Sequence, residues 1–194
     1  MPRTGFLLAF LVCATLAIPA RSSAQYERPT RTRRAWLVLS DGVGLNGGGL
    51  SGTNGLVQLF RGSGVVALTQ SLGIEATAIR IQEVFPATKL VNDPTRNSPR
   101  ADGLFASLAQ FTSDGPRRGF PSLASIGGGV VRRPTNDPTR TRLTGAVQAG
   151  VESSIWTPAN DWADVTGGLR LILMPAGDRH QIYVLGLTFG IRAG

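Results

Sequence analysis

Residues 183–191 alternate strictly between two kinds of side chain. The odd positions are large and apolar: Tyr183, Leu185, Leu187, Phe189 and Ile191. The even positions from 186 onward are Gly186, Thr188 and Gly190, which are small or mildly polar. Because successive side chains of a strand point to opposite faces, the pattern predicts a strand with one apolar face and one nearly bare face. The apolar face must then be covered by a second layer of protein or by lipid.

The first 24 residues have the three parts of a secretory signal peptide. Arg3 supplies a positive charge, residues 5–18 form an uncharged apolar run, and Ser22-Ser23-Ala24 is a cleavage site of small residues. The apolar run is too short for a comfortable transmembrane helix. The only cysteine, Cys13, lies within it, so the exported chain would have no disulfide, thiolate metal ligand or cysteine nucleophile. We therefore predict export, which leaves one domain of ordinary size.

Proline spacing and alternating patterns divide the rest of the chain into strands. Proline cannot donate to a β-ladder, so it marks strand starts, edges and connections. The alternating segments predict eight strands, at 36–44, 56–68, 73–85, 101–111, 120–131, 142–156, 162–174 and 180–191. Their even number and their lengths predict an all-β fold, an eight-stranded antiparallel up-and-down transmembrane β-barrel. We expect a signal peptide over 1–24, a polar periplasmic lead-in over 25–34 and the barrel over 35–194.

The sixth and seventh strands test this prediction through their pairing. A turn centred on Ala159 would pair Gln148 with Arg170 on a polar face and Val147 with Leu171 on an apolar face. One register therefore gives both strands an apolar outer face and a polar inner face. We predict these lumen-facing polar residues, as a satisfied internal network: Glu75, Gln148, Glu152, Asp164 and Arg170.

At two places the sequence does not settle which side chains face the interior. Trp156 and Trp162 have lumen parity in this register, so they either plug the barrel base or follow a β-bulge that resets the phase. In the third strand, polar Glu75 shares a parity with apolar Ile79 and Ile81, which a β-bulge would explain. Two aromatic girdles are expected. Their candidates are Trp36, Phe111, Phe120, Trp156, Trp162 and Phe189 at one end and Phe60, Phe85 and Tyr183 at the other.

A pentapeptide is repeated in two loops that the topology places outside the cell. Asn92-Asp93-Pro94-Thr95-Arg96 recurs as Asn136-Asp137-Pro138-Thr139-Arg140. Asn and Asp form local turns and Pro fixes the chain, so turn chemistry explains the repeat. The functional alternative is a twofold ligand patch, in which Arg96 and Arg140 meet phosphate or carboxylate groups.

The charge balance is basic, with a formal net charge of +8 that falls to +6 when Arg3 and Arg21 are removed with the signal. Export makes nucleic acid a poor partner. Lys89 is the only lysine, and the arginines suit either an arginine-rich genome or contact with lipopolysaccharide phosphates. We therefore expect outer-membrane lipid and lipopolysaccharide as partners, and a monomer, since barrel closure leaves no unpaired strand edge.

Several segments resemble the small outer-membrane β-barrel family, in the broad OmpA-like and OmpX-like sense. These segments are residues 69–76, a turn entering the third strand, the Gly-rich 124–130, and 145–152 and 185–189. The resemblance implies a Gram-negative outer membrane and biogenesis by the barrel-assembly machinery. Family members usually end on an aromatic residue. Here five residues follow Phe189, so the assembly signal would be internal.

We expect a non-enzymatic protein that acts in envelope integrity or surface interaction through its extracellular loops. His180, the only histidine, sits at a loop-to-strand junction and reads as a surface residue, so no catalytic residue, metal or cofactor is predicted. One alternative is a narrow solute channel, which would need small inward residues such as Gly128, Gly150 and Gly168. The other is a soluble periplasmic lipocalin-like carrier, which would need a polar outer face.

Overall fold

The computed structural model describes residues 34–47, 55–86, 100–112, 122–134, 141–156, 162–175 and 181–194. They form eight strands: β1 (Ala35–Gly47), β2 (Gly55–Ala67), β3 (Leu72–Pro86), β4 (Arg100–Thr112), β5 (Ser122–Pro134), β6 (Thr141–Trp156), β7 (Ala163–Pro175) and β8 (Gln181–Ala193). Every predicted strand is present. The described residues contain no helix long and apolar enough to cross a membrane.

The strands close into a barrel in which each pairs antiparallel with the next and β8 pairs with β1. The predicted fold class is therefore confirmed. The tight turn between β2 and β3 shows local sequence control, since Leu72 N donates to Thr69 Oγ1 at 2.9 Å and Leu68 N donates to Leu72 O at 2.9 Å. Closure pairs the edge strands that an open sheet would expose.

The barrel has two ends that differ in their connections. One, called here the terminal end, contains the start of β1, the end of β8 and the connections 68–71, 113–121 and 157–162. The other, the loop end, contains the connections 48–54, 87–99, 135–140 and 176–180. The predicted signal peptide, the lead-in up to residue 33, Phe120, His180 and both copies of the repeat lie outside the described residues.

The outer wall is apolar and the interior contains charge. Leu39 and Leu108 are each 70% exposed, whereas the buried side chains include Arg61, Glu75, Glu83, Glu152, Asp164, Arg170 and Arg192. The closing strand follows the same rule, because Tyr183, Leu185, Leu187, Phe189 and Ile191 are 44–60% exposed. This distribution is the reverse of a water-soluble domain, where charged residues are almost never fully buried unless paired.

The pairing of β6 with β7 differs from the predicted register by two residues. Val147 pairs with Leu173 rather than Leu171, and Arg170 lies opposite Gly150 rather than Gln148. Because side chains alternate with a period of two, a shift of two leaves the paired residues on their predicted faces as far as Ser154.

A β-bulge near the terminal end of β6 moves Trp156 from the inward face to the outward face. The register shifts between Ser154 and Trp156, so that Ile155 and Trp156 both face outward, 60% and 61% exposed. Trp162, which precedes β7, is 57% exposed. The suggestion that the two tryptophans plug the base is wrong, and the bulge alternative holds for Trp156.

Two other predictions about the interior are wrong. No bulge separates Glu75 from Ile81; both are fully buried on one uninterrupted face, and the irregularity of this ladder lies further on, opposite Leu56 and Val57. Trp36 and Phe111 do not join an outer girdle. They are 3% and 6% exposed and pack together inside the barrel, with ring centroids 5.2 Å apart. The interior is therefore layered along its axis.

Candidate functional site: the barrel interior and wall

Four charged side chains meet at the middle of the interior and form the central ion cluster: Arg61, Glu75, Glu152 and Arg170. Arg61 Nη1 lies 2.6 Å from Glu152 Oε2, and Arg61 Nη2 lies 3.2 Å from Glu75 Oε1. Arg170 Nη2 reaches the same Glu75 oxygen at 3.2 Å. The four side chains come from β2, β3, β6 and β7, so the ion pairs tie opposite walls together. None is more than 3% exposed.

Neutral polar groups extend the central ion cluster. Arg170 Nη1 donates to Gln148 Oε1 at 2.8 Å, and Gln148 Nε2 donates to Ser107 Oγ at 2.8 Å. Arg61 Nη2 also donates to Ser63 Oγ at 2.9 Å. Four of the five predicted lumen residues are thus brought into one network. Such bonds are what a charge buried away from water requires. The predicted network is satisfied only in part, because Arg61 Nε and Glu152 Oε1 have no hydrogen-bond partner among the described residues.

The fifth predicted lumen residue, Asp164, lies nearer the terminal end. Arg192 donates two hydrogen bonds to it, from Nη2 to Oδ2 at 2.9 Å and from Nε to Oδ1 at 3.1 Å. Ser154 Oγ donates to Asp164 Oδ2 and accepts from Arg192 Nη2 at 3.0 Å. An apolar group on the same level contains Trp36, Val38, Val65, Ala109, Phe111 and Leu123.

The half of the interior towards the loop end is filled with apolar side chains. This loop-side plug contains Val57, Leu59, Ile79, Ile81, Ala101, Phe105, Val131, Ala146, Ile172, Met174, Ile182 and Val184, none more than 7% exposed. Beyond it, Asn46 Nδ2 donates to Glu83 Oε1 at 2.6 Å. An eight-stranded barrel is only wide enough for side chains to fill, and among the described residues they do fill it.

The glycines on which a channel would depend leave no opening. Gly128 faces outward, on the face of Ile126 and Val130, so its predicted inward placement is wrong. Gly150 faces inward, but a Cβ there would lie 3.1 Å from the Arg170 Cζ, so the guanidinium uses that space. At Gly168 a Cβ would lie 2.6 Å from the Val151 carbonyl oxygen.

Arg61, Glu83 and Arg192 are buried in the interior but were not predicted from the sequence. The predicted inward set contained three carboxylates and one arginine, which leaves an unbalanced buried charge. Since buried charges must be paired, this imbalance was the signal that two more cations belonged there. Arg61 shares the inward parity of Val57, Leu59 and Val65, and Arg192 that of Thr188.

The outer wall carries a second charged group, the wall ion cluster of Arg80, Asp102 and Arg132. Arg80 Nε lies 2.7 Å from Asp102 Oδ1, and Arg132 Nη2 lies 3.2 Å from Asp102 Oδ2. The residues pair across β3, β4 and β5, towards the loop end. Their side chains are 52%, 28% and 59% exposed, and none of the three was predicted from the sequence. The described residues contain no group of three or more His, Cys, Asp and Glu side chains that could hold a metal.

Comparison with known proteins identifies the fold. No family model matches the chain, and no curated protein matches it by sequence. The crystal structure of Neisserial surface protein A is similar, with a TM-score of 0.55, 14% identity, and coverage of 82% of this chain and 97% of that one. At this identity the similarity establishes the fold alone, which is that of a small eight-stranded outer-membrane barrel, as the sequence resemblance implied.

Two further structures match at lower TM-scores. The N-terminal β-barrel domain of Pseudomonas aeruginosa OprF matches with a TM-score of 0.45 and 14% identity, over 82% of this chain and 98% of that one. Ail, the attachment invasion locus protein of Yersinia pestis, matches with a TM-score of 0.47 and 10% identity, over 82% and 99%.

Proposed function

We propose that this chain is a non-enzymatic integral protein of a Gram-negative outer membrane. Its filled barrel would anchor extracellular loops that act in envelope integrity or surface contact. The observation that carries the proposal is the inverted barrel, with exposed leucines around the wall and paired charges inside. The closed ladder supports it, because backbone polar groups in lipid must find their hydrogen-bond partners within the protein, and in a closed barrel the neighbouring strands supply them.

The alternatives fit these observations less well. A soluble carrier needs a polar outer surface, whereas an apolar wall in water would be an aggregation site. A solute channel needs a continuous path, whereas the loop-side plug fills the interior of the described residues. The loops are therefore the part of the protein available to molecules outside the membrane. The barrel-assembly machinery and lipopolysaccharide are the expected partners of the protein.

Fractionation and heat modifiability test the location. The full-length chain, made in a Gram-negative host, should fractionate with the outer membrane and migrate differently on a denaturing gel before and after boiling. A soluble periplasmic product with identical migration in both samples would refute the proposal and favour the carrier.

Surface labelling tests the orientation with a matched pair of variants. Ser98→Cys lies in the connection 87–99 at the loop end, and Ser71→Cys lies in the turn at the terminal end. On whole cells an impermeant thiol reagent should label Ser98→Cys only, and lysis should expose Ser71→Cys. The reverse labelling would place the loop end in the periplasm and exclude a surface role for the loops.

Loop replacement tests the role. Replacing residues 87–99 and 135–140 with short Gly-Ser connections should keep the heat-modifiable barrel. Cells with the replaced loops should also lose adhesion to a surface, or should become as sensitive to detergent as a strain that lacks the protein. Unchanged adhesion and detergent resistance with both loops replaced would refute a loop-based function.

A further inference from the structure

A shallow apolar groove of about 540 Å³ crosses the outer wall from β1 to β4. Its floor is made of small outward residues, Gly62 and Gly64 on β2 and Ala76 and Ala78 on β3, and its sides include Leu37, Leu39 and Leu104. Elsewhere on the wall the outward positions are mostly large; on β8, for example, Leu185 and Leu187 stand next to each other. The recess therefore comes from the small side chains, and we call it the wall groove.

The wall ion cluster lies at the loop-side end of the wall groove. Arg80 is the next outward residue after Ala78 on β3, and Asp102 precedes the outward Leu104 on β4. Arg132 sits beside Asp102 on β5. Arg100 is also exposed on this face, and Asp41, the next outward residue after Leu39 on β1, adds a second carboxylate. The described residues here therefore contribute three guanidinium groups against two carboxylates. An apolar recess thus leads to a surplus of positive charge.

The dimensions fit one leaflet. Ala76 and Arg80 are four residues apart, which is about 13 Å along the strand. At the strand tilt of about 40° that is usual in such barrels, this is about 10 Å along the membrane normal. Half of a hydrocarbon core of about 30 Å is about 15 Å, so a ligand that ran the length of the wall groove would lie within one leaflet and end beside the arginines.

We propose that the wall groove and the wall ion cluster together bind lipid A, the phosphorylated and acylated glycolipid of the outer leaflet. One acyl chain lies over the small residues, and a phosphate accepts hydrogen bonds from the guanidinium groups of Arg80 and Arg132. Arginine suits phosphate because its planar donors bind two oxygens at once. Asp102 holds both guanidinium groups in position. The inference rests on the proposed function, since the loop end lies in the outer leaflet only if the loops face the outside of the cell.

The test measures lipid binding to the full barrel by native mass spectrometry in detergent. The probes are lipid A, its dephosphorylated form, phosphatidylglycerol and inorganic phosphate. We expect lipid A to bind at least tenfold more tightly than the dephosphorylated form or phosphatidylglycerol. We expect inorganic phosphate alone not to displace it. Equal affinity for lipid A and either other lipid, or displacement by free phosphate, would overturn the assignment.

Two variants separate the two halves of the site. Arg80→Gln combined with Arg132→Gln should weaken lipid A binding about tenfold and abolish the preference for the phosphorylated form. Ala78→Leu fills the wall groove and should weaken both lipid A forms by about threefold while keeping that preference. Unchanged binding by either variant, with heat modifiability intact, would refute the corresponding half of the site.

Two further variants are matched controls. Arg34→Gln removes a positive charge at the terminal end, and Gly145→Leu adds a side chain to the opposite wall, where a Cβ meets nothing within 4 Å. Neither should change the affinity, and a loss with either that equals the test variants would overturn the site. A protein absent from the outer membrane would defeat the proposed function. A barrel that lies in the outer membrane, but whose test variants bind lipid A as well as the wild-type protein does, would defeat only this inference.

Discussion

Replacing Arg61 by methionine should destabilise the barrel severely, although no apolar contact of comparable size is lost. Arg61 is the only described cation within ion-pair distance of Glu152, at 2.6 Å. The other Glu152 oxygen has no hydrogen-bond partner among the described residues. Glu75 would keep Arg170, but Glu152 would remain as a buried, unpaired carboxylate.

The magnitude follows from that asymmetry. Removing one member of a buried ion pair typically costs about 3–5 kcal/mol, because the charge left behind is not compensated. The Arg61→Met variant should therefore lose about that much free energy of unfolding. Adding Glu152→Gln removes the stranded charge, so the double variant should recover at least about 2 kcal/mol of the loss.

The assay is urea unfolding of the refolded barrel in phospholipid vesicles, followed by tryptophan fluorescence and checked by gel migration. Arg80→Met is the matched control, because its ion pair with Asp102 is exposed and should be worth about 1 kcal/mol or less. A loss below about 1 kcal/mol for Arg61→Met, or no recovery in the double variant, would refute the reasoning.

The remaining predictions concern the wall, the base and the plug. Asp41 faces outward midway along β1, where Gln58 Nε2 donates to it at 3.2 Å, so Asp41→Val should stabilise the barrel in vesicles by about 1 kcal/mol; a loss of stability would contradict a lipid-facing position. Trp36→Ala should cost about 3–5 kcal/mol because the ring is buried against Phe111, whereas exposed Trp162→Ala should cost less than about 1 kcal/mol, and similar losses would argue against the inward placement. Purified wild-type protein in planar bilayers should give no steady single-channel conductance, because the loop-side plug fills the interior; regular conductance steps would favour the channel.

Strand positions could be predicted because alternation is a local property of the sequence. The ends of each predicted strand lie within three residues of those in the structure. The faces of β7, and of β6 as far as Ser154, were also placed correctly although the register was wrong by two, because an even slip changes the partners without changing the faces. The bulge at Ile155 is a single extra residue and leaves no mark in the pattern that could fix its position.

The make-up of the interior was less predictable. A polar lumen was expected, and Glu75 and Gln148 do face inward. Ile79 and Ile81 were thought to be out of phase with them, but they lie on the same inward face, which is polar in the middle and apolar towards the loop end. Trp36 was expected at the membrane surface because tryptophan often lies there, and parity alone does not exclude an inward indole. The polar and apolar levels lie at different heights along the barrel axis, and residue composition carries no information about height.

The sequence by itself determined the strands, the faces and the barrel class, because a period of two with chemically opposite faces has few other solutions. Tertiary structure alone decided which charges meet: Arg61 pairs with Glu152, 91 residues away, and Arg170 with Glu75, 95 residues away. It also brought Arg80, Asp102 and Arg132 from three strands into one row beside the wall groove. Those contacts depend on the stagger with which eight strands close, and no local segment encodes that stagger.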